Sequence, residues 1–148
     1  MRFNSSIAFP RIVAAPTDVF FKVVQRRARA AKVFGVTIHI VEDDPGVSDS
    51  LVLLLRSLGH QAVAHPDAET FFRQEPPGAA DTIIIDLMLP GISGAKVIRW
   101  LQRLASPPKI IAISGQPQSA IEAQLRGMAM PRLLRKPLTE ENITHELD

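Results

Sequence analysis

From residue 35 onward, short continuous β-branched runs alternate with segments whose apolar residues recur every three or four positions. The first kind suits strands covered on both faces, the second suits helices with one buried face. "GVTIHIV" (35–41) reads as a strand. Pro45 then opens a helix through "PGVSDSLVLLLRSLGH" (45–60), with Val47, Leu51, Leu54, Leu55 and Leu58 at helical spacing and Gly59 as its stop. Its "LVLLL" is read as helix core. "QAVAH" (61–65) is a second strand, and "DAETFFRQ" (67–74) a short helix broken by Pro76, Pro77 and Gly78. "DTIIID" (81–86) is a third strand. "SGAKVIRWLQRLA" (93–105) is an amphipathic helix with Val97, Ile98, Leu101 and Leu104 inward. "KIIAIS" (109–114), a helix in "QSAIEAQLRGM" (118–128), "RLLRK" (132–136) and a last helix in "TEENITHEL" (139–147), capped by Thr139, complete the series. Five strands alternating with helices predict an α/β fold: a parallel sheet, helices on both faces, right-handed crossovers.

The length of 148 residues suits one ordinary domain with a single core. The absence of cysteine excludes a disulfide scaffold and a thiolate zinc site. No apolar stretch approaches the roughly 20 residues of a membrane span. The net charge of +2 conceals a split. Residues 1–35 carry seven basic side chains against Asp18 alone, whereas residues 36–148 carry 10 basic and 14 acidic ones. A basic extension (1–35) thus precedes an acidic body (36–148), and any argument for nucleic-acid binding from the basic pI rests on the extension only. Within it, "PTDVFFKVVQRRARAAKVFG" (16–35) has the spacing of one amphipathic helix with Thr17 as cap. Four readings stand for the extension: an Arg-rich organellar leader, a disordered leader or misplaced start, a helix docked on the body or on a second copy, and a membrane-surface helix.

Chemistry concentrates at the carboxyl ends of the strands. The first strand is followed by Glu42, Asp43 and Asp44, the third ends in Asp86, the fourth in Ser114, and the fifth in Lys136. Open parallel sheets bind ligands at that edge. Clustered carboxylates without His or Cys suit a hard divalent cation, above all Mg²⁺. Such a site would let Asp86 act as a nucleophile toward a phosphoryl group, with Lys136 and Ser114 on the phosphoryl oxygens. Asp44 has a simpler role, as N-cap before Pro45. Gly91 and Gly94 read as turn residues, Trp100 as packing, and His39 and His60 as structural residues without a partner.

These pieces carry a resemblance. "IVEDD", "IIIDLMLPGISG", "AISG" and "LRKPL" occur in the order of the receiver domain of two-component response regulators. Asp86 and Ser114 are 28 residues apart, Ser114 and Lys136 22. From about 36 to 148 the chain is similar to receivers of the kind that precede a helix-turn-helix output domain. The resemblance implies a doubly wound, flavodoxin-like sheet of order 2-1-3-4-5. It implies that Glu42, Asp43, Asp86 and the backbone carbonyl of Met88 hold Mg²⁺, and that Asp86 is phosphorylated. Ser114 is then the switch hydroxyl, Lys136 the family's lysine, and Lys136-Pro137 a candidate cis bond. The implied setting is a bacterial cytoplasm. The implied partners are a sensor histidine kinase or phosphotransfer protein, and a possible second copy through the face of helix four, strand five and helix five. The implied chemistry is limited to the domain's own phosphorylation and dephosphorylation.

Departures from the pattern are local. Leu133 stands where the family usually places Tyr or Phe, and "RGMAMPRLL" is irregular. Both favour a pseudo-receiver that binds partners without phosphorylation, whereas the full set Glu42, Asp43, Asp86, Ser114 and Lys136 argues against it. A haloacid-dehalogenase-like phosphatase would need a second Asp at position 88, which is Met88. The chain stops 12 residues past Lys136, which suits either a single-domain receiver or the front of a longer regulator.

Overall fold

The computed structural model describes residues 36–148; the helix expected within 16–35 lies outside the described residues. The β-branched runs form β1 (Thr37–Val41), β2 (Gln61–His65), β3 (Thr82–Asp86), β4 (Lys109–Ser114) and β5 (Arg132–Arg135). Between them lie α1 (Pro45–Ser57), α2 (Ala68–Arg73), α3 (Gly94–Gln102), α4 (Gln118–Gln124) and α5 (Glu140–Leu147). The strands pair in parallel in the order β2-β1-β3-β4-β5, as the resemblance implied. β3 is buried at all five positions, which explains its uninterrupted apolar run.

Alternation along the strands divides the core in two. Ile38, Ile40, Ile84, Ile111 and Ile113 pack with Leu51 and Leu55 of α1 and Ile143 of α5. Val41, Ile83, Ile85 and Ala112 face Phe71 of α2, Val97, Ile98 and Leu101 of α3, and Ile121 of α4. Helix ends follow the capping chemistry in the sequence. Asp44 caps α1 by accepting from the amides of Gly46 and Val47, with Pro45 at the first position. Asp67, Ser93 and Thr139 cap α2, α3 and α5. Gly59 ends α1 at φ 90°, with its amide on the Arg56 carbonyl and that of His60 on Leu55, a Schellman closure.

Four readings need correction. Leu53, taken as helix core, is 70% exposed, because it lies on the side of α1 away from Leu51 and Leu55. Leu58 is also exposed, since the chain leaves the helix there. Gly94 is the first residue of α3 and not a turn residue. A Cβ there would fall 2.2 Å from the Asp86 carbonyl oxygen, so glycine is what lets α3 approach β3. His39 has partners: its Nδ1 lies 3.2 Å from Nε2 of buried His65, and its Nε2 3.8 Å from Asp81. Phe71 meets both imidazoles edge-on. Trp100 is buried packing, 4.7 Å from the Phe72 ring. Among the described residues no helix is long and apolar enough to cross a membrane.

Candidate functional site

Parallel strands that start at one edge deliver their loops to the other. Glu42 and Asp43 leave β1, Asp86 ends β3, Ser114 ends β4, and Lys136 follows β5. Carboxylate oxygens of Glu42, Asp43 and Asp86 lie within 4.8 Å of one another, with Glu42 and Asp86 buried and Asp43 exposed. Lys136 bridges the two buried groups, with Nζ 2.8 Å from Asp86 Oδ2 and 3.0 Å from Glu42 Oε2. The link to Asp86 is a hydrogen bond. The link to Glu42 is a charge pair, and buried Oε2 has no donor besides this ammonium among the described residues. The other oxygens are held by backbone: Glu42 Oε1 accepts the Asp44 amide at 3.1 Å, and Asp86 Oδ1 accepts the Met88 amide at 2.8 Å.

The electrostatics follow from burial. Desolvation pushes the Glu42 carboxyl above its ordinary value, and the Asp44 amide and Lys136 offset this only in part. For Lys136 burial opposes the charge, but the hydrogen bonds to Asp86 and Glu42 outweigh it and hold the ammonium above its usual value. Three carboxylates around one lysine leave net negative charge in a desolvated corner. That donor set, all oxygen and with more negative than positive charge, fits a hard divalent cation.

Ser114 is fully buried, and its hydroxyl turns toward its own loop. It accepts the Gln116 amide at 3.0 Å and lies 3.5 Å from Gln116 Oε1. The Lys136 amide donates to the Ser114 carbonyl at 3.0 Å, which ties the ends of β4 and β5. The Lys136-Pro137 bond is cis, as expected. Sequence reasoning missed Gln116 and the Gly94 approach. Only the spacing Pro90-to-Gly94 hinted at the second, and nothing marked the first.

A sequence profile of the response regulator receiver domain matches residues 38–148. The chain belongs to that family. This receiver is 26% identical over 106 residues to the transcriptional regulatory protein FixJ of Azorhizobium caulinodans, covering 72% of this chain and 50% of FixJ. It is 29% identical to the response regulator protein TodT of Pseudomonas putida, covering 72% of this chain and 47% of TodT. The receiver thus spans about half the length of the curated relatives it matches. Among solved structures, FixJ-N superposes with TM-score 0.60 at 27% identity over 76% of this chain and 90% of that one. The receiver domain of a Pseudomonas aeruginosa sensor histidine kinase, with a magnesium ion coordinated in its active-site cleft, superposes with TM-score 0.62 at 24% identity, over 76% of this chain and 94% of that one.

Proposed function

We propose that this receiver accepts a phosphoryl group on Asp86 from a histidine kinase or phosphotransfer protein, in a reaction that requires Mg²⁺. The carrying observation is the Lys136 ammonium bridging buried Glu42 and Asp86, with the Asp43 carboxylate beside them. Such a corner is built to take up further positive charge. Glu42, Asp43, Asp86 and the Met88 carbonyl would hold the cation, which when bound would neutralise the phosphoryl oxygens.

The chain's own groups account for the rest. The Met88 amide on Oδ1 and Lys136 on Oδ2 hold the Asp86 carboxylate at the end of β3. It attacks the phosphorus in line as the donor's N–P bond breaks, and the leaving imidazole keeps the electron pair and takes a proton from water. Lys136 is already on Asp86 and turns to the incoming oxygens. Ser114 can give up its turn contact with Gln116 and donate its hydroxyl proton to a phosphoryl oxygen, carrying its loop along. Leu133 is packed partly buried against the core and offers no aromatic swing, so the rearrangement stays centred on Ser114.

A donor protein must dock beside Asp86. On the Lys136 side of the site a groove of about 350 Å³ opens between α1 and the start of α5, with Val47, Leu54 and Leu138 on its walls and Lys136 at its edge. Exposed Leu53, three residues from groove-lining Ser50, stands on α1 beside the groove, on the side away from Leu51.

Acetyl phosphate or phosphoramidate with Mg²⁺ tests the reading. One acid-labile, hydroxylamine-sensitive phosphoryl group per chain is expected. Asp86→Asn abolishes it, and Glu42→Ala with Asp43→Ala suppresses it. Undiminished labelling of Asp86→Asn would sink the assignment.

A further inference from the structure

The loop from Leu87 to Ser93 carries Met88, and it is pinned from three directions. At its start the Leu87 amide donates to the Ile113 carbonyl at 3.1 Å, and the Met88 amide to Asp86. At its end Gly94 sits against the Asp86 carbonyl. In the middle stands a side chain from a different element. Glu69, in the first turn of α2, places Oε1 3.4 Å from the Ile92 amide. The same oxygen lies where a Cβ on Gly91 would come within 2.8 Å, and Gly91 has φ 72°. The carboxylate is therefore tucked into the bend of the loop, in space that only glycine leaves open.

The ordinary role for a glutamate here is an ion pair four residues along the helix, with Arg73. Among the described residues no ion pair involves Glu69, and its contact is with the loop backbone instead. The base of that contact is firm: Asp67 caps α2 through the Thr70 amide at 2.6 Å, and Phe71, two residues on, is buried in the core. Loop residues Leu89 and Ile92 pack on the same core. Met88, just before Leu89, is exposed.

We propose that Glu69 is a positioning residue for the phosphoacceptor loop: by holding the backbone at Gly91 and Ile92 it fixes where the Met88 carbonyl sits beside Asp86. The inference rests on the Mg²⁺-dependent reading above. A ligand carbonyl on an unpinned loop must be ordered when the cation arrives, and that cost weakens binding. Groups that orient ligands from outside typically contribute 10- to 100-fold to metal affinity. One long hydrogen bond onto one carbonyl's loop belongs at the lower end, about tenfold.

The test uses Mn²⁺ titration followed by electron paramagnetic resonance, together with amide hydrogen exchange on the metal-free protein. Glu69→Ala is expected to bind Mn²⁺ about tenfold more weakly and to exchange the Ile92 amide faster, with the amides of Ala112 and Ile113 unchanged. Glu69→Gln keeps an acceptor oxygen in the same place and is expected to restore both. If Gln is as poor as Ala in Mn²⁺ binding, the effect is charge at a distance and the positioning role is overturned. It is equally overturned if Glu69→Ala lowers the melting temperature while Mn²⁺ affinity and Ile92 exchange stay as in the wild type. A wild-type protein that takes up no Mn²⁺ would overturn the phosphoacceptor reading itself, whatever the variants do.

Discussion

Gly94→Ala isolates the contact that sets α3 against β3, the strand that ends in Asp86. The added Cβ would lie 2.2 Å from the Asp86 carbonyl oxygen, 2.9 Å from Leu87 Cα and 3.0 Å from the Asp86 carbonyl carbon. All three atoms are backbone, so no side-chain rotation relieves the overlap. Ordinary carbon contacts sit near 3.5–4.0 Å, so α3 must retreat by about 1 Å or the end of β3 must bend. Overpacking of a closed core costs about 1–3 kcal/mol, and a clash with backbone belongs at the upper end. Alanine recovers at most about 1 kcal/mol of helix propensity. The expected net loss is about 2 kcal/mol. Gly115→Ala is the control: its Cβ would meet only Lys136 Cβ at 3.8 Å, so a change within about 0.5 kcal/mol is expected. Urea denaturation followed by the fluorescence of Trp100, the single tryptophan, measures both. Because the atoms that must move belong to Asp86 and Leu87, Gly94→Ala should also slow phosphorylation by acetyl phosphate. A Gly94→Ala protein as stable as wild type would show slack between α3 and β3 and refute the steric argument. A destabilised one phosphorylated at the normal rate would refute the link to Asp86.

Three further outcomes are expected. Burial, and then the neighbouring His39, lowers His65 to about 4, whereas the unfolded chain titrates near 6.5. The unfolded form therefore binds a proton that the folded form refuses, so stability falls as pH drops from about 6.5 to about 4 and levels off below, by up to about 3 kcal/mol. Urea midpoints for wild type and His65→Gln across that range read the difference, and an NMR titration of His65 with a midpoint near 6.5 would contradict it. Leu53→Glu, on an exposed position, should leave folding and labelling by small donors unchanged while slowing transfer from a phosphohistidine protein about tenfold, the worth of partly burying one leucine; equal slowing with both donors would count against docking on the exposed side of α1. We propose a domain boundary at residue 36, because the family match starts at residue 38 and all five strands follow it. Deleting residues 1–33 should change neither the melting temperature nor the labelling of Asp86, and loss of either would move the boundary.

What the sequence discloses depends on the range of the interaction. Strand and helix positions were legible because their causes are local: β-branched runs, the three-to-four spacing of Val97, Ile98 and Leu101, and the Asp44-Pro45 and Ser93 starts. The site was legible for a topological reason. In a parallel sheet the residue that ends each strand arrives at the same edge, so Glu42, Asp86, Ser114 and Lys136 could be gathered before any distance was known. Contacts fixed by register or by sub-ångström approach left no such trace. Gly94 looks like any glycine beside a proline turn, since the atom it must avoid belongs to Asp86. Leu53 sits in an unbroken apolar run, and only the phase of α1 turns it outward. The His39–His65 pair shows the limit most directly. The pairing of Val41 with His65 and of His39 with Val63 makes the two histidines diagonal neighbours on one face of adjacent strands. Shifting β2 by one residue would put His65 on the opposite face and leave His39 without its partner. A separation of 26 residues encodes nothing of that choice. The choice is made by Ala62, which must lie inward against the α1 side of the core and so commits His65 to the other.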